Sequence, residues 1–181
     1  MDNEPLYGSG SFLMILSKSA ILAAVDAGDI NIDPFDPQAL NPNSYNFRLG
    51  PQLLEWSAAQ HEFVPVAFPG TGFLLHADRL YLGSTLEYIG SRRYAMLLLG
   101  RSSIGRLGLF VNISADLGHT GSLGQWTLEL RVVQPLRIYP GQNVGQISFW
   151  VTSGVPHSYA GRYKFDVGPL PSKHNFSLER Q

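Results

Sequence analysis

The densest chemistry in the chain is written in nine consecutive residues, Gly100-Arg101-Ser102-Ser103-Ile104-Gly105-Arg106-Leu107-Gly108. Two glycines separated by four residues have the spacing of a phosphate-binding loop. However, Arg106 stands where that loop needs its lysine, and Leu107 where it needs the magnesium-holding hydroxyl. A nucleophile elbow fails as well, because Ile104 replaces the second glycine that lets a serine sit on a strained turn. Ser102 is therefore not read as an acyl nucleophile. What remains is a turn with two hydroxyls, several backbone N–H groups and two guanidinium groups, suited to cradling phosphate. A surface turn whose serines cap their own backbone has the same letters, and the residues alone leave both readings open.

Two further side chains could move protons. Glu129 lies in Trp126-Thr127-Leu128-Glu129-Leu130-Arg131, where apolar and polar residues alternate as on a half-buried strand. Such a carboxylate is either solvated or placed for acid/base work. His119 sits in Gly118-His119-Thr120-Gly121, a loop pattern that suits a surface histidine or a ligand contact. The five histidines show no H-x-x-x-H or H-E-x-x-H spacing, and the chain has no cysteine. No metal bound by protein side chains is expected, and thiol nucleophiles, disulfides and thiolate zinc sites are excluded.

These residues need a frame, and the hydrophobic pattern supplies one. Ser17 is a plausible N-cap, Ile21, Leu22 and Val25 recur at helical spacing, and Gly28 stands where a helix would stop. Prolines 34, 37 and 42 make residues 33–43 an irregular connection. Strands are then expected over 45–49, 52–56, 72–76, 80–88, 94–99, 109–114, 126–133, 136–139 and 144–151, with turns at Pro69-Gly70 and Pro140-Gly141. Many short strands after one helix predict a mainly β domain, an antiparallel sandwich or barrel. Residues 1–14 are read as a loose lead-in and 153–181 as a C-terminal arm on a surface, within one domain over 1–181.

Composition narrows the partners. Only 15% of residues are charged, against about 25% in an ordinary domain, so part of the surface is expected to be covered in an oligomer. A net charge of -1 gives no field to draw the chain to nucleic acid or an anionic membrane. The apolar run Phe12 to Leu16 is shorter than a secretory h-region of about 7 to 15 residues, so a cytoplasmic protein is expected.

Taken together, the pieces resemble the dCTP deaminase branch of the dUTPase fold. The likeness runs through Ile15-Leu16-Ser17, Asp33-Pro34-Phe35-Asp36-Pro37, Ser44-Tyr45-Asn46-Phe47-Arg48-Leu49-Gly50 and Leu82-Gly83-Ser84-Thr85-Leu86-Glu87. It continues through Gly100 to Gly108, Thr127-Leu128-Glu129-Leu130, Tyr139-Pro140-Gly141 and Gly145-Gln146-Ile147-Ser148-Phe149. The resemblance implies a distorted antiparallel β-barrel with one N-terminal helix, assembled as a homotrimer with sites at the subunit interfaces. It implies hydrolysis of dCTP to dUTP and ammonia without zinc, with magnesium carried by the triphosphate. By the same resemblance Glu129 is the general acid/base, Ser102 orients the water and Arg106 holds Glu129. Arg101 and Ser103 face the triphosphate, Arg162 and Tyr163 close over it, and Ala115, His119 and Thr127 contact substrate or water. Departures from the pattern are Asn46, Asn112, His119 and Asp166. His119 stands for an aspartate that dUTP-hydrolysing relatives use on water, which argues against a further cleavage of dUTP. A nucleoside triphosphate pyrophosphohydrolase and a catalytically silent nucleotide-binding relative are the alternatives.

Overall fold

Helix α1 (Lys18–Asp26) begins and ends on the residues that the sequence marks. The Ser17 hydroxyl accepts the Ala20 N–H, and Gly28 takes a φ of +74°, a conformation that a Cβ opposes. Its buried stripe is Ile21 and Ala24 with Val25 packed at the margin, whereas Leu22 is 38% exposed. The expected face is corrected accordingly: Ile21, Ala24 and Val25 keep the three-and-four spacing, and Leu22 falls outside it. The structure, a computed structural model, describes residues 14–111 and 115–173. Asn112, most of the expected lead-in and the end of the arm lie outside the described residues.

Strands and their connections make up the rest. In chain order the strands are β1 (Ile30–Asp33), β2 (Tyr45–Arg48), β3 (Leu53–Ser57), β4 (Glu62–Val66), β5 (Phe73–Leu75), β6 (Tyr81–Ser84) and β7 (Tyr88–Ser91). After them come β8 (Ala95–Gly100), β9 (Leu109–Val111), β10 (Leu117–Gly118), β11 (Leu123–Gly124), β12 (Thr127–Val132), β13 (Leu136–Ile138) and β14 (Asn143–Trp150). One turn of helix, α2 (Ser102–Gly105), stands between β8 and β9 where the sequence suggested only a turn.

All pairings are antiparallel, in sheets ordered β4-β3-β6-β12-β9, β10-β8-β14-β2, β1-β7-β11 and β13-β5. The mainly β, antiparallel expectation holds, but a closed barrel does not form among the described residues. Closure needs long edges that can pair. Here the β4 edge carries Pro65, which has no N–H to donate, and the opposite edges β9 and β10 are three and two residues long. The core lies between the sheets: Tyr45, Phe47, Tyr81, Leu98, Leu128, Leu130, Ile147 and Phe149 are each at most 1% exposed. Burial of these side chains is the main stabilising term.

The expected strand over 80–88 stops at Ser84 as β6, and after a corner β7 starts only at Tyr88 and runs beyond the expected range. A carboxylate forces that corner. Glu87 is 0% exposed, and its two oxygens accept the Arg48 Nε at 2.7 Å and the Arg48 backbone N–H at 2.9 Å. Thr85 Oγ1 donates to the Glu87 carbonyl and accepts the Trp126 N–H, and the Leu86 N–H reaches the Arg48 carbonyl. An unpaired carboxylate at this depth would be very costly, so the chain turns out of the sheet to deliver Glu87 to Arg48. The hydrogen bond that Arg48 donates to Glu87 in turn pushes the guanidinium above its usual pKa. Strands β1, β4, β10 and β11 were not expected, being short or interrupted by proline and glycine.

Candidate functional site

Strand β12 looks two ways. Leu128, Leu130 and Val132 enter the core, and Thr127, Glu129 and Arg131 stand on the other face. Register sets Thr127 opposite Ser84 and Glu129 opposite Leu82 of β6, so the half-buried Glu129 is fixed on one of the inner strands of the five-stranded sheet. A strand between two partners is a firmer mount than a loop.

A cleft of about 290 Å³ opens at the Thr127 end of β12. One wall comes from Ala115, Leu117 and His119, the floor from Leu123, Gln125, Trp126 and Thr127, and the far wall from the arm through Tyr159, Tyr163 and Asp166. The His119 and Tyr159 rings stack at 5.4 Å and 18° across its rim. The Trp126 indole is held by a 3.0 Å hydrogen bond from Nε1 to the Ile89 carbonyl. An apolar, aromatic cavity edged by a few polar groups is the shape and chemistry of a small-molecule site.

The arm reaches the cleft by binding main chain to main chain. Tyr159 N–H donates to the Thr120 carbonyl, Phe165 N–H to Leu123, and Gln125 N–H to Asp166. Gly168 N–H then meets Gln125 Oε1, and Leu170 N–H meets Thr127 Oγ1 at 3.1 Å. Gly121 makes this approach possible: its φ is +87°, and a Cβ there would run into Ser158. Thr127 therefore does two things, lining the cleft and anchoring the arm.

The nine-residue stretch stands elsewhere. Arg101 occupies the cap position of α2 with no side-chain capping bond. Ser102, Ser103 and Arg106 are exposed, Arg101 is half-buried, and Ile104 is the residue that plugs the turn into the core. Backbone bonds tie this segment to the far end of β12, Val133 N–H to the Gly108 carbonyl, and to β14, Arg101 N–H to Val144. At about 3.3 Å of rise per residue, the Gly108 attachment at Val133 lies roughly 20 Å along β12 from Thr127, while the Gly100 end of the stretch packs against Val111, the partner of Leu130. Glu129 falls between Thr127 and Val133.

The predicted site residues thus separate into groups within one chain. Ala115, His119, Thr127 and Tyr163 share the cleft, and Arg162 is on the arm just outside it. Arg101, Ser102, Ser103 and Arg106 form a second group, and Glu129 stands on the sheet between the two. Sequence reasoning missed the aromatic contribution of Trp126, which it read only as part of a strand pattern, and of Tyr159, which lies in a segment without periodicity. Among the described residues, no three His, Asp or Glu side chains converge as a metal set. No helix among them is long and apolar enough to cross a membrane.

A family model described as dCTP deaminase-like matches residues 15–152. The chain is 44% identical over 151 residues to a Cytophaga hutchinsonii protein named dCTP deaminase, dUMP-forming, a match covering 80% of this chain and 87% of the relative. It is also 44% identical over 167 residues to a Rhodopirellula baltica protein named dCTP deaminase, covering 88% of this chain and 84% of that one. Among solved structures it is similar to 2'-deoxycytidine 5'-triphosphate deaminase from Agrobacterium tumefaciens, with a TM-score of 0.63 and 20% identity over 77% of this chain. The match covers 48% of that solved chain, and at this identity the likeness is one of fold.

Proposed function

This chain belongs to the dCTP deaminase-like family, and from that premise we propose that it removes the 4-amino group of dCTP by hydrolysis and carries the nucleotide on to dUMP. The observation that carries the deamination is the placement of Glu129: a half-buried carboxylate held on an inner strand, two residues from a cleft-lining threonine on the same face. Attack of water at C4 needs a base for the water, and N3 and the departing amine need an acid. One carboxylate that takes the proton and returns it serves both. Ser102 orients the water and Arg106 steadies Glu129 by a charge-assisted hydrogen bond. Arg101 and Ser103 meet the phosphates, as do Arg162 and Tyr163 from the arm, while Ala115, His119 and Thr127 contact base, sugar or water. Magnesium arrives as the counter-ion of the triphosphate, keeping most of its waters, and no zinc is needed.

The dUTP product expected from the sequence gives way to dUMP, because relatives such as that of Cytophaga hutchinsonii are named dUMP-forming. Cleavage between the α and β phosphates needs a second activated water. The missing aspartate argued against that step, but His119 lines the cleft in its place, and an imidazole can serve as a general base.

Since the α2 residues stand away from the cleft within one chain, a complete site needs a second copy, which supports the homotrimer. The test is single-turnover ammonia release from dCTP. Glu129→Gln keeps shape and reach but cannot accept the proton, and is expected to lose about 10,000-fold, the upper end for one acid/base group. Ser102→Ala is expected to lose less. Near-normal release by Glu129→Gln would sink the mechanism, and no release by the wild-type chain from any cytosine nucleotide would sink the activity.

A further inference from the structure

Outside the residues already assigned, one ionic cluster touches the cleft. Lys173 Nζ donates to Asp166 Oδ1 at 2.7 Å, to Asp166 Oδ2 at 2.9 Å and to the Arg162 carbonyl at 2.8 Å. All three ammonium protons are thereby used. The same lysine is gripped at its backbone: its N–H donates to Tyr163 Oη at 2.9 Å, and its carbonyl accepts from Arg162 at 3.3 Å. Its ammonium lies 5.0 Å from the centre of the Tyr163 ring. Asp166 lines the cleft, and its side chain is only 17% exposed against 35% for Lys173. The cluster therefore lies on the cleft's edge.

Two features of this cluster point to a ligand. Lys173 is attached at backbone and side chain to Arg162 and Tyr163, the pair assigned to the phosphates, so its ammonium is held beside that pair. The two Asp166 oxygens present to Lys173 what a phosphate would: two anionic acceptors at hydrogen-bond distance. Asp166 also sits where a bound polyphosphate would meet like charge, an unfavourable contact unless a cation offsets it.

We infer that Lys173 is a further phosphate-binding residue of this site and that Asp166 is its built-in competitor, holding the ammonium until a polyphosphate takes it. The inference rests on the triphosphate reading above and deepens it. In the exchange the lysine trades two carboxylate oxygens for phosphate oxygens of higher charge, and Asp166 turns toward solvent. Nothing covalent changes. The consequence is a tax on phosphate affinity that falls on polyphosphates and spares the nucleoside.

Opposite signs at the two residues test this. Binding of inorganic tripolyphosphate with magnesium, and separately of deoxycytidine, is measured by calorimetry on the full chain, alongside KM and kcat for dCTP. Asp166→Asn keeps a hydrogen-bonding side chain but removes the charge, and should tighten tripolyphosphate and lower KM about tenfold, the scale of one charge-assisted contact. Lys173→Gln should weaken both by a similar factor, Lys173→Arg should restore them, and deoxycytidine affinity should not move in any variant. If both Asp166→Asn and Lys173→Gln weaken tripolyphosphate and deoxycytidine alike, the pair is only a structural clasp and the inference fails. Failure of the wild-type chain to bind tripolyphosphate overturns it too. Tripolyphosphate binding with the expected opposite signs, but without any binding or turnover of dCTP, would uphold the residue pair and remove the deaminase reading instead.

Discussion

His119 and Arg48 show two ways in which one side chain decides a property of the molecule. His119 stacks on Tyr159 at the rim of the cleft and stands apart from Glu129 on its strand, so it is poorly placed for the proton transfers of deamination. Replacing it with Ala should leave ammonia release from dCTP with a raised KM and a nearly unchanged kcat, the signature of lost ground-state contacts. Pyrophosphate should fall much further, by about 100-fold or more if the imidazole is the base for the second water. The ratio of the two products, measured in one reaction, reads this directly, and an unchanged ratio removes His119 from the second step. Arg48 belongs to the frame. Changing it to Met leaves the Glu87 carboxylate at 0% exposure without its ionic partner, and stability should drop by about 3–5 kcal/mol. Glu87→Gln should cost less, because a neutral amide is left facing a guanidinium that is partly in water. Urea denaturation of both variants ranks them. Neither residue's role was visible as a single letter: Arg48 and Glu87 lie in separate motifs of the sequence, and only the fold shows that these motifs are one ion pair.

At the scale of elements, what was legible followed from local rules. Helix α1 was readable from its cap, its apolar spacing and Gly28, and the strands β2, β3, β8, β12 and β14 from their apolar pattern. Features that depend on distant partners were not readable. The corner between β6 and β7 exists because Glu87 must reach Arg48, and the two-residue strands β10 and β11 are recruited by β8 and β7 rather than by their own propensity. Half of the cleft was missed for the same reason, since Tyr159 reaches His119 only once the arm has docked on β11 and β12. That docking turns on Gly121. An alanine there would have to hold a φ of +87° and would press its methyl into Ser158, so Gly121→Ala should lift the start of the arm from the Thr120 carbonyl. The expected result is faster amide exchange over residues 158–166 and an increase of about tenfold in KM for dCTP, with the core amides of β12 still protected. Uniform loss of protection across the chain would mean that Gly121 supports the fold as a whole.

The whole molecule raises the question of how a site whose parts stand at two ends of β12 can act at once. On the proposed reading, a second copy brings its α2 group to the first copy's cleft and Glu129. The low charged fraction agrees, as do exposed apolar side chains near α2 and β9, with Leu99 at 45%, Leu107 at 47% and Phe110 at 44%. The particle in solution should then have about three times the mass of the 19.9 kDa chain by sedimentation. A sharper test mixes two defects. Chains carrying Glu129→Gln and chains carrying Arg106→Gln are each expected to be nearly inactive as pure trimers. When they are unfolded together and reassembled in equal amounts, a site that takes Glu129 from one chain and Arg106 from its neighbour is intact whenever the right pair falls side by side. With random assembly that happens at about one site in four, so activity should recover to about a quarter of the wild-type value. If both residues of a site came from the same chain, every site in the mixture would carry one defect or the other, and nothing would be recovered. Recovery near a quarter therefore fixes the shared site, and its absence in a mixture shown to contain hybrid trimers returns Glu129 and Arg106 to a single protomer.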